Sequence, residues 1–279
     1  MDSTEKTRAK YDRIHDWRVE IKQYRSGMRL LAVHPHQKIE DLHVQFLRDY
    51  LPGKRVLEIG CGVGHITKRV AAYAKSVHAL DFSKVVGYAK KINSAPNIHY
   101  LKADATRLPF PDRSFDIVLS SEVLEHVPQG EQMIAEIHRV LVPGGRVCLS
   151  TPNLWTLFDP LEMLAAIRKP SRPLRWFKLL FRRTDTNPEE FDRPLFPATL
   201  RRWFRAQGFT VLLNKTYIFN FWREPYLSLM SALDRRMKQT KRSEKFAQYF
   251  LITTDALIES RFSPLQWMGT RQFIVAVKQ

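Results

Sequence analysis

The sequence predicts an α/β fold, an open and mostly parallel sheet with helices on both faces, and three observations carry that prediction. Residues Arg55 to Ile59 form a short apolar run that breaks at Gly60, and a helix-compatible stretch opens at His65, the order of a buried strand, a glycine turn and a helix. A second apolar run, Ser76 to Asp81, ends in an acid about 20 residues beyond the glycines, the repeat of a strand-helix-strand unit. Further strand-like runs at 97–101, 115–120 and 146–151 alternate with helical patterns, as parallel strands joined by crossover helices must.

Each element has a reading of its own. Gly60, Gly62 and Gly64 let the chain turn tightly after the first strand and keep Cβ atoms away from a ligand lying at the strand end. Their spacing argues against a dinucleotide fingerprint. His65 stands where the third glycine of that pattern would fall, and Glu58 inside the strand is foreign to it. Asp81 ends the second strand, where a carboxylate accepts hydrogen bonds from ribose hydroxyls. Taken singly, Asp81 and Asp104 also suit helix N-caps. Glu58 points into the turn, either holding the glycine loop by accepting N–H bonds or reaching a cofactor amino group indirectly. Cys61 needs no thiol chemistry and reads as a small side chain that packs.

The run Glu58-x-Gly60-Cys61-Gly62-x-Gly64 resembles the first motif of class I S-adenosylmethionine-dependent methyltransferases. Ser76 to Asp81, Asn97 to Ala105, Leu108 to Ser120, Ser121 to Val127 and Ile137 to Thr151 follow in that family's order, the last as a helix, a Pro143-Gly144-Gly145 turn and a fifth strand. Together they resemble the branch containing the ubiquinone and menaquinone biosynthesis methyltransferases, specifically over residues 50–153. The resemblance implies a Rossmann-like, seven-stranded, mostly parallel sheet with helical insertions. It also implies S-adenosylmethionine as the cofactor and S-adenosylhomocysteine as the product. Carried onto this chain, the cofactor residues are Glu58, Gly60, Cys61, Gly62, Gly64, Asp81, Phe82, Asp104, Ala105 and Ser120. Phe82 would lie against the adenine face, and Asp104 would meet the adenine amino group.

Binding the cofactor does not choose the acceptor. A sulfonium methyl group is already activated, so the enzyme must chiefly align an acceptor lone pair and exclude water. A hydroxyl acceptor also needs its proton removed by a base that titrates near the working pH. His126, which follows the fourth strand on the ligand side of an open sheet, is the candidate base. Its alternative role is structural, because the same Glu-His pair occurs in relatives with very different acceptors. Glu122 and Glu125 are weaker candidates.

In the C-terminal half, Pro197 to Gly208 reads as a capped amphipathic helix and Phe209 to Leu213 as the strand after it. Gln272 to Val277 reads as the last strand. The resembled fold pairs these two strands antiparallel at a sheet edge. The expected organisation is therefore a helical cap over 1–50 and a catalytic domain over 51–279. Acceptor-binding insertions are expected at 152–196 and 218–268, with Tyr24, Arg25 and His36 touching the cofactor from the cap.

Composition bounds what else the chain does. Its 279 residues carry a formal charge of +17. Arg168, Lys169, Arg172, Arg175, Lys178, Arg182 and Arg183 alternate with Ile167, Leu174, Trp176, Phe177, Leu179, Leu180 and Phe181. Arg235, Arg236, Lys238, Lys241, Arg242 and Lys245 form a second basic stretch. Basic segments 168–183 and 235–245 fit an anionic membrane surface, with a solvated basic face and nucleic-acid binding as the other readings. Base methylation fits poorly. Ser120-Ser121-Glu122-Val123 replaces the Asp/Asn-Pro-Pro-aromatic motif, and neither Cys61 nor Cys148 is placed as a C5 nucleophile. Methylation of RNA ribose or of protein, and a non-catalytic cofactor-binding module, are the alternatives to a small or lipid-linked acceptor. Residues 1–12 lack the apolar stretch of a signal peptide, and two cysteines make no disulfide framework. The expected location is cytoplasmic, peripheral at a membrane. No metal is expected: His34, His36 and His43 lack a carboxylate partner at ligand spacing and read as surface or cofactor-lid residues.

Overall fold

The computed structural model describes residues 35–154, 194–217 and 271–279. Its elements are α1 (Pro35–Leu47), β1 (Arg55–Ile59), α2 (His65–Ala71), β2 (Ser76–Asp81), α3 (Val85–Ile92), β3 (Ile98–Lys102), β4 (Phe115–Ser121), α4 (Gly130–Val140), β5 (Leu141–Pro152), α5 (Pro197–Ala206), β6 (Phe209–Tyr217) and β7 (Arg271–Lys278). Short 3-10 turns at Arg48–Tyr50 and Leu124–His126 complete it.

The seven strands lie in the order β3-β2-β1-β4-β5-β7-β6. The pairs β3–β2, β2–β1, β1–β4 and β4–β5 are parallel, whereas β7 runs antiparallel to both β5 and β6. The chain leaves β1 toward β2 on one side and reaches β4 on the other, so the carboxyl ends of β1 and β4 flank the switch point where open sheets bind ligands.

Alternating side chains of the central strands feed two apolar layers. On one face, Leu57, Ile59, Val118, Val147 and Leu149 pack with Met133, Ile134, Ile137 and Val140 of α4 and Leu200 and Phe204 of α5. The α4 residues recur at helical spacing, and the opposite face of that helix carries its charges. Pro197 opens α5, where a missing N–H costs nothing. On the other face, Val56, Ile117, Leu119, Cys148 and Phe273 pack with α2 and with Ile39, Leu42 and Leu47. The described part of the expected cap is thus built into the sheet domain. Burying each such side chain contributes about 1.5–3 kcal/mol.

One local detail differs from the sequence reading. Pro143-Gly144-Gly145 does not separate a helix from a strand: α4 passes directly into β5. The turn bulges within that strand, since pairing jumps from Phe115 opposite Leu141 to Ile117 opposite Arg146. Gly144 at φ 74° supplies the left-handed residue the bulge needs. In β7, buried Lys278 donates to the carbonyls of His138 and Leu141 at 2.7 and 2.8 Å, placing a cation on the end of α4 where the helix dipole is negative. Residues 155–193 and 218–268 of the expected insertions, with both basic segments, lie outside the described residues. Tyr24, Arg25 and His34 do as well.

Candidate cofactor and acceptor site

The glycine loop is held to the end of β2. Amides of Gly60 and Cys61 donate to the carbonyl of Leu80 at 2.8 and 2.9 Å, and that of Gly64 to Cys61 O at 2.8 Å. The loop amide of Gly62 donates to Asp81 Oδ2 at 2.9 Å. Asp81 Oδ1 accepts from the amide and hydroxyl of Ser83 at 2.8 and 2.7 Å. Asp81 therefore fixes loop and strand end together, and its Oδ2 keeps a lone pair for a ligand hydroxyl. It caps no helix, because α3 starts at Val85 behind Lys84.

All three loop glycines have left-handed φ, 76° at Gly60, 51° at Gly62 and 83° at Gly64. Their surroundings differ. A Cβ built on Gly60 would lie 2.1 Å from Val123 Cγ2, and one on Gly64 would lie 2.4 Å from the Tyr100 hydroxyl. A Cβ on Gly62 would meet nothing within 4 Å, so open space adjoins the loop beside Asp81.

Glu58 is buried, and its Oε2 accepts from the Thr67 hydroxyl in the first turn of α2 at 2.5 Å. It braces the helix start rather than taking loop amides. Burial raises its pKa to about 8, so the side chain is neutral at pH 7. Cys61 is buried, and burial raises its pKa well above the usual thiol value, in keeping with a packing role. Sequence patterns did not single out Thr67, Asn93 or Tyr100. Asn93 Nδ2 donates to the loop carbonyl of Val63 at 2.8 Å, and the Tyr100 hydroxyl donates to Asn93 O at 3.0 Å. Only the β3 pairing that puts Tyr100 opposite Ala79 reveals that support.

Asp104 Oδ1 accepts from the amide and hydroxyl of Thr106, both at 2.8 Å, while its Oδ2 accepts from no described residue. Ala105 beside it is buried, and Phe82 is half-buried next to Asp81. Ser120, at the end of β4, is fully buried with its hydroxyl unpartnered. Open space at Gly62, the Asp81 carboxylate, Asp104 Oδ2 and this hydroxyl suit a nucleoside ligand with vicinal hydroxyls and an exocyclic amine.

Beyond β4 the chain turns through Glu122, a non-glycine residue at φ 56°. Its amide donates to Ser150 O at 3.0 Å, its Oε1 accepts from the Ser150 hydroxyl at 3.0 Å, and its other oxygen pairs with Arg271. Glu125 is buried and accepts from the Thr151 hydroxyl at 2.9 Å, and its Oε1 lies 3.8 Å from His126 Nε2. His126 remains accessible, with 28% of its side chain exposed. A buried carboxylate beside an accessible imidazole is an arrangement that orients a base.

His43 is neither on the surface nor in a lid, contrary to the sequence reading. It is fully buried, with Nε2 3.1 Å from Ser150 Oγ, Nδ1 3.3 Å from Cys148 Sγ and its ring packed on Phe273. The apolar face of α1 carries it onto the sheet, and burial lowers its pKa to about 3. Among the described residues no three metal-ligating side chains converge.

A family profile described as a methyltransferase domain matches residues 57–149. A ubiquinone biosynthesis O-methyltransferase of Azotobacter vinelandii is 32% identical over 192 residues, 66% of this chain and 78% of that protein. A sterol 24-C-methyltransferase of Gibberella zeae is 34% identical over 125 residues, 42% of this chain and 31% of that protein. Among solved structures, the magnesium protoporphyrin IX methyltransferase of Synechocystis PCC 6803, with S-adenosylmethionine bound, superposes with a TM-score of 0.56 at 17% identity. That superposition covers 100% of this chain and 98% of that one. A methyltransferase from Mesorhizobium loti gives a TM-score of 0.55 at 17% identity, over 86% and 98% of the two chains. Glycine loop, Asp81, strand order and these relatives agree: the chain belongs to the class I S-adenosylmethionine-dependent methyltransferases and resembles their ubiquinone-biosynthesis branch.

Proposed function

We propose that the enzyme methylates a hydroxyl oxygen on a small or lipid-linked acceptor, with His126 as the general base, close to an anionic membrane surface. The observation that carries the reading is the accessible His126 imidazole set 3.8 Å from a buried Glu125 carboxylate, just beyond the strand end that flanks the glycine loop. When bound, S-adenosylmethionine supplies a methyl group that positively charged sulfur makes transferable.

This chain's own residues do the rest. Asp81 and Asp104 hold the ribose hydroxyls and the adenine amine, the open face of the glycine loop at Gly62 makes room for the remainder of the cofactor, and Phe82, Ala105 and Ser120 line it. Glu125, fixed by Thr151, orients the imidazole from its Nε2 side, and His126 takes the acceptor proton. Such general-base assistance is worth about 10²–10⁴-fold in rate. The resemblance to the ubiquinone-biosynthesis O-methyltransferases favours a ring hydroxyl of a quinone precursor as the acceptor.

Membrane proximity rests on charge. The formal +17 includes, on the described surface, Arg201, Arg202 and Arg205 around Ala198 and Ala206 on α5, and those arginines pair with no described carboxylate. No described helix is long and apolar enough to cross a bilayer, so contact would be interfacial.

Two experiments test this. Tritium transfer from methyl-labelled S-adenosylmethionine to hydroxylated acceptors should occur with wild type and fall sharply in H126A and H126Q while cofactor affinity holds; unchanged turnover removes the base assignment. Flotation with phosphatidylglycerol vesicles should retain the protein at low salt. Failure to float, combined with salt-sensitive RNA binding, would favour a nucleic-acid acceptor instead.

A further inference from the structure

Cys148, His43, Ser150, Glu122 and Arg271 come from separate elements yet form one continuous polar chain. Cys148 Sγ lies 3.3 Å from His43 Nδ1, His43 Nε2 lies 3.1 Å from Ser150 Oγ, and Ser150 Oγ lies 3.0 Å from Glu122 Oε1, which belongs to the carboxylate paired with Arg271. Proton positions along it follow by elimination. Burial raises the pKa of the Cys148 thiol, so sulfur keeps its hydrogen, and it leaves His43 neutral with one N–H. Ser150 gives its only hydrogen to Glu122, so the His43 contact must be Nε2–H donating to the hydroxyl oxygen. Nδ1 then accepts from the thiol. Every donor points toward Glu122.

The chain ends at a significant place. Glu122 adopts a left-handed backbone that non-glycine residues avoid, a strain that persists only where the surroundings impose it. Its neighbour Val123 packs against Gly60 of the cofactor loop. Arg271, its ionic partner, lies opposite Pro152 of β5 and Tyr217 of β6. Glu122 thus lies between the glycine loop and the roots of both insertions. Satisfying buried polar atoms alone does not require the last acceptor to be a strained, partly exposed carboxylate there.

We propose that His43 is a positioning residue, which through Ser150 holds the Glu122 carboxylate as the hydrogen-bond acceptor that orients the methyl acceptor through a second hydroxyl, beside the one His126 deprotonates. The proposal rests on the O-methylation reading above. His43 touches neither cofactor nor acceptor and acts only through the relay.

The test uses the full chain. Long-range 1H–15N NMR of wild type should show the Nε2–H tautomer at His43; an Nδ1–H tautomer reverses the relay and overturns the proposal. H43F keeps an aromatic ring on Phe273 but removes the donor, and S150A removes the next link. With the hydroxyl acceptor on which wild type is active, both should lose about 10- to 100-fold in kcat/KM, the scale of a small misplacement of a reacting group. Affinity for S-adenosylhomocysteine should not change. H43Q, whose amide can donate to Ser150, should recover part of the loss, and E122Q should not add to that of S150A. H43F with wild-type kcat/KM refutes the role, as does a parallel loss of S-adenosylhomocysteine binding. A wild-type enzyme that methylates only carbon or nitrogen fails the O-methylation reading itself, and the hydroxyl-orienting role with it, whatever the tautomer.

Discussion

Replacing Gly60 with alanine should unfold part of the advantage this loop gives the domain, and its size follows from two terms. The residue sits at φ 76°, a left-handed conformation that costs an L-residue about 1–2 kcal/mol. The new Cβ would stand 2.1 Å from Val123 Cγ2, 3.3 Å from its Cβ and 3.4 Å from Cγ1. Rotating χ1 relieves the first contact only by disturbing a stiff β-branched side chain, and overpacking of this kind costs about 1–3 kcal/mol. G60A should therefore lose about 2–5 kcal/mol of stability. V123A removes the clash but not the strain, so the double variant should regain about 1–3 kcal/mol of that loss as a coupling energy. Urea unfolding of the four proteins in a double-mutant cycle measures it, with S-adenosylhomocysteine titration alongside. A G60A protein within experimental error of wild type, or a double variant whose losses simply add, would refute the argument from close approach.

Other outcomes follow from the same geometry. D81A loses the acceptor of the Gly62 amide and of any ribose hydroxyl, so cofactor affinity should fall by about 10- to 100-fold, the effect of removing one or more charge-assisted hydrogen bonds; calorimetric titration reads it, and an unchanged Kd would dismiss Asp81 as a ligand. Glu58 has its pKa raised from 4.5 to about 8 by burial, so its stabilising protonated form is fully present below pH 4.5 and lost as pH rises through 8. Wild type should lose stability relative to E58Q across that window, by at most about 1.4 kcal/mol per pH unit; pH-independent differences in urea midpoints would contradict it. K278M should strip two carbonyls at the end of α4 of their donor and cost about 1–3 kcal/mol, read as a lowered thermal midpoint.

How much of this was legible in the sequence depends on the range of each interaction. The strands and the glycine loop were readable because β1, β2 and β4 are short apolar runs bounded by turn residues, and the antiparallel pairing of the last two strands followed from family resemblance. Asp81 was readable because its partner, the Gly62 amide, belongs to the same strand-turn-strand unit. His43 was misread: it lies four residues from both Ile39 and Leu47 on the apolar face of its helix, yet nothing local says that Ser150 and Cys148, on a distant strand, meet it in the core. Pro143-Gly144-Gly145 read as a turn because composition does not distinguish a turn from a bulge in a continuing strand; only pairing with β4 does. Thr67, Asn93 and Tyr100 escaped notice because their hydrogen bonds exist only once strands and helices are packed. Glu122 was named only as a weak catalytic candidate because φ is not written in residue type.

The antiparallel strand β7 has a consequence for how this enzyme could change acceptor. Asn153 bridges Leu195, Gln272 donates to the Leu195 carbonyl at 2.6 Å, and Tyr217 pairs with Arg271. The segments 155–193 and 218–270 therefore start and finish at neighbouring points of one rigid ladder, formed by β5, β6 and β7. A segment anchored that way can be lengthened, shortened or exchanged at little cost in folding, since doubling a closed loop adds only about 0.6 kcal/mol of closure entropy. The half of the sheet that holds Asp81 and the glycine loop is untouched by such exchanges. Such exchanges leave methyl-donor binding in place, and a chimera carrying a relative's segments on these strands should keep the donor affinity of this chain, while any change in its acceptor would assign acceptor choice to those segments.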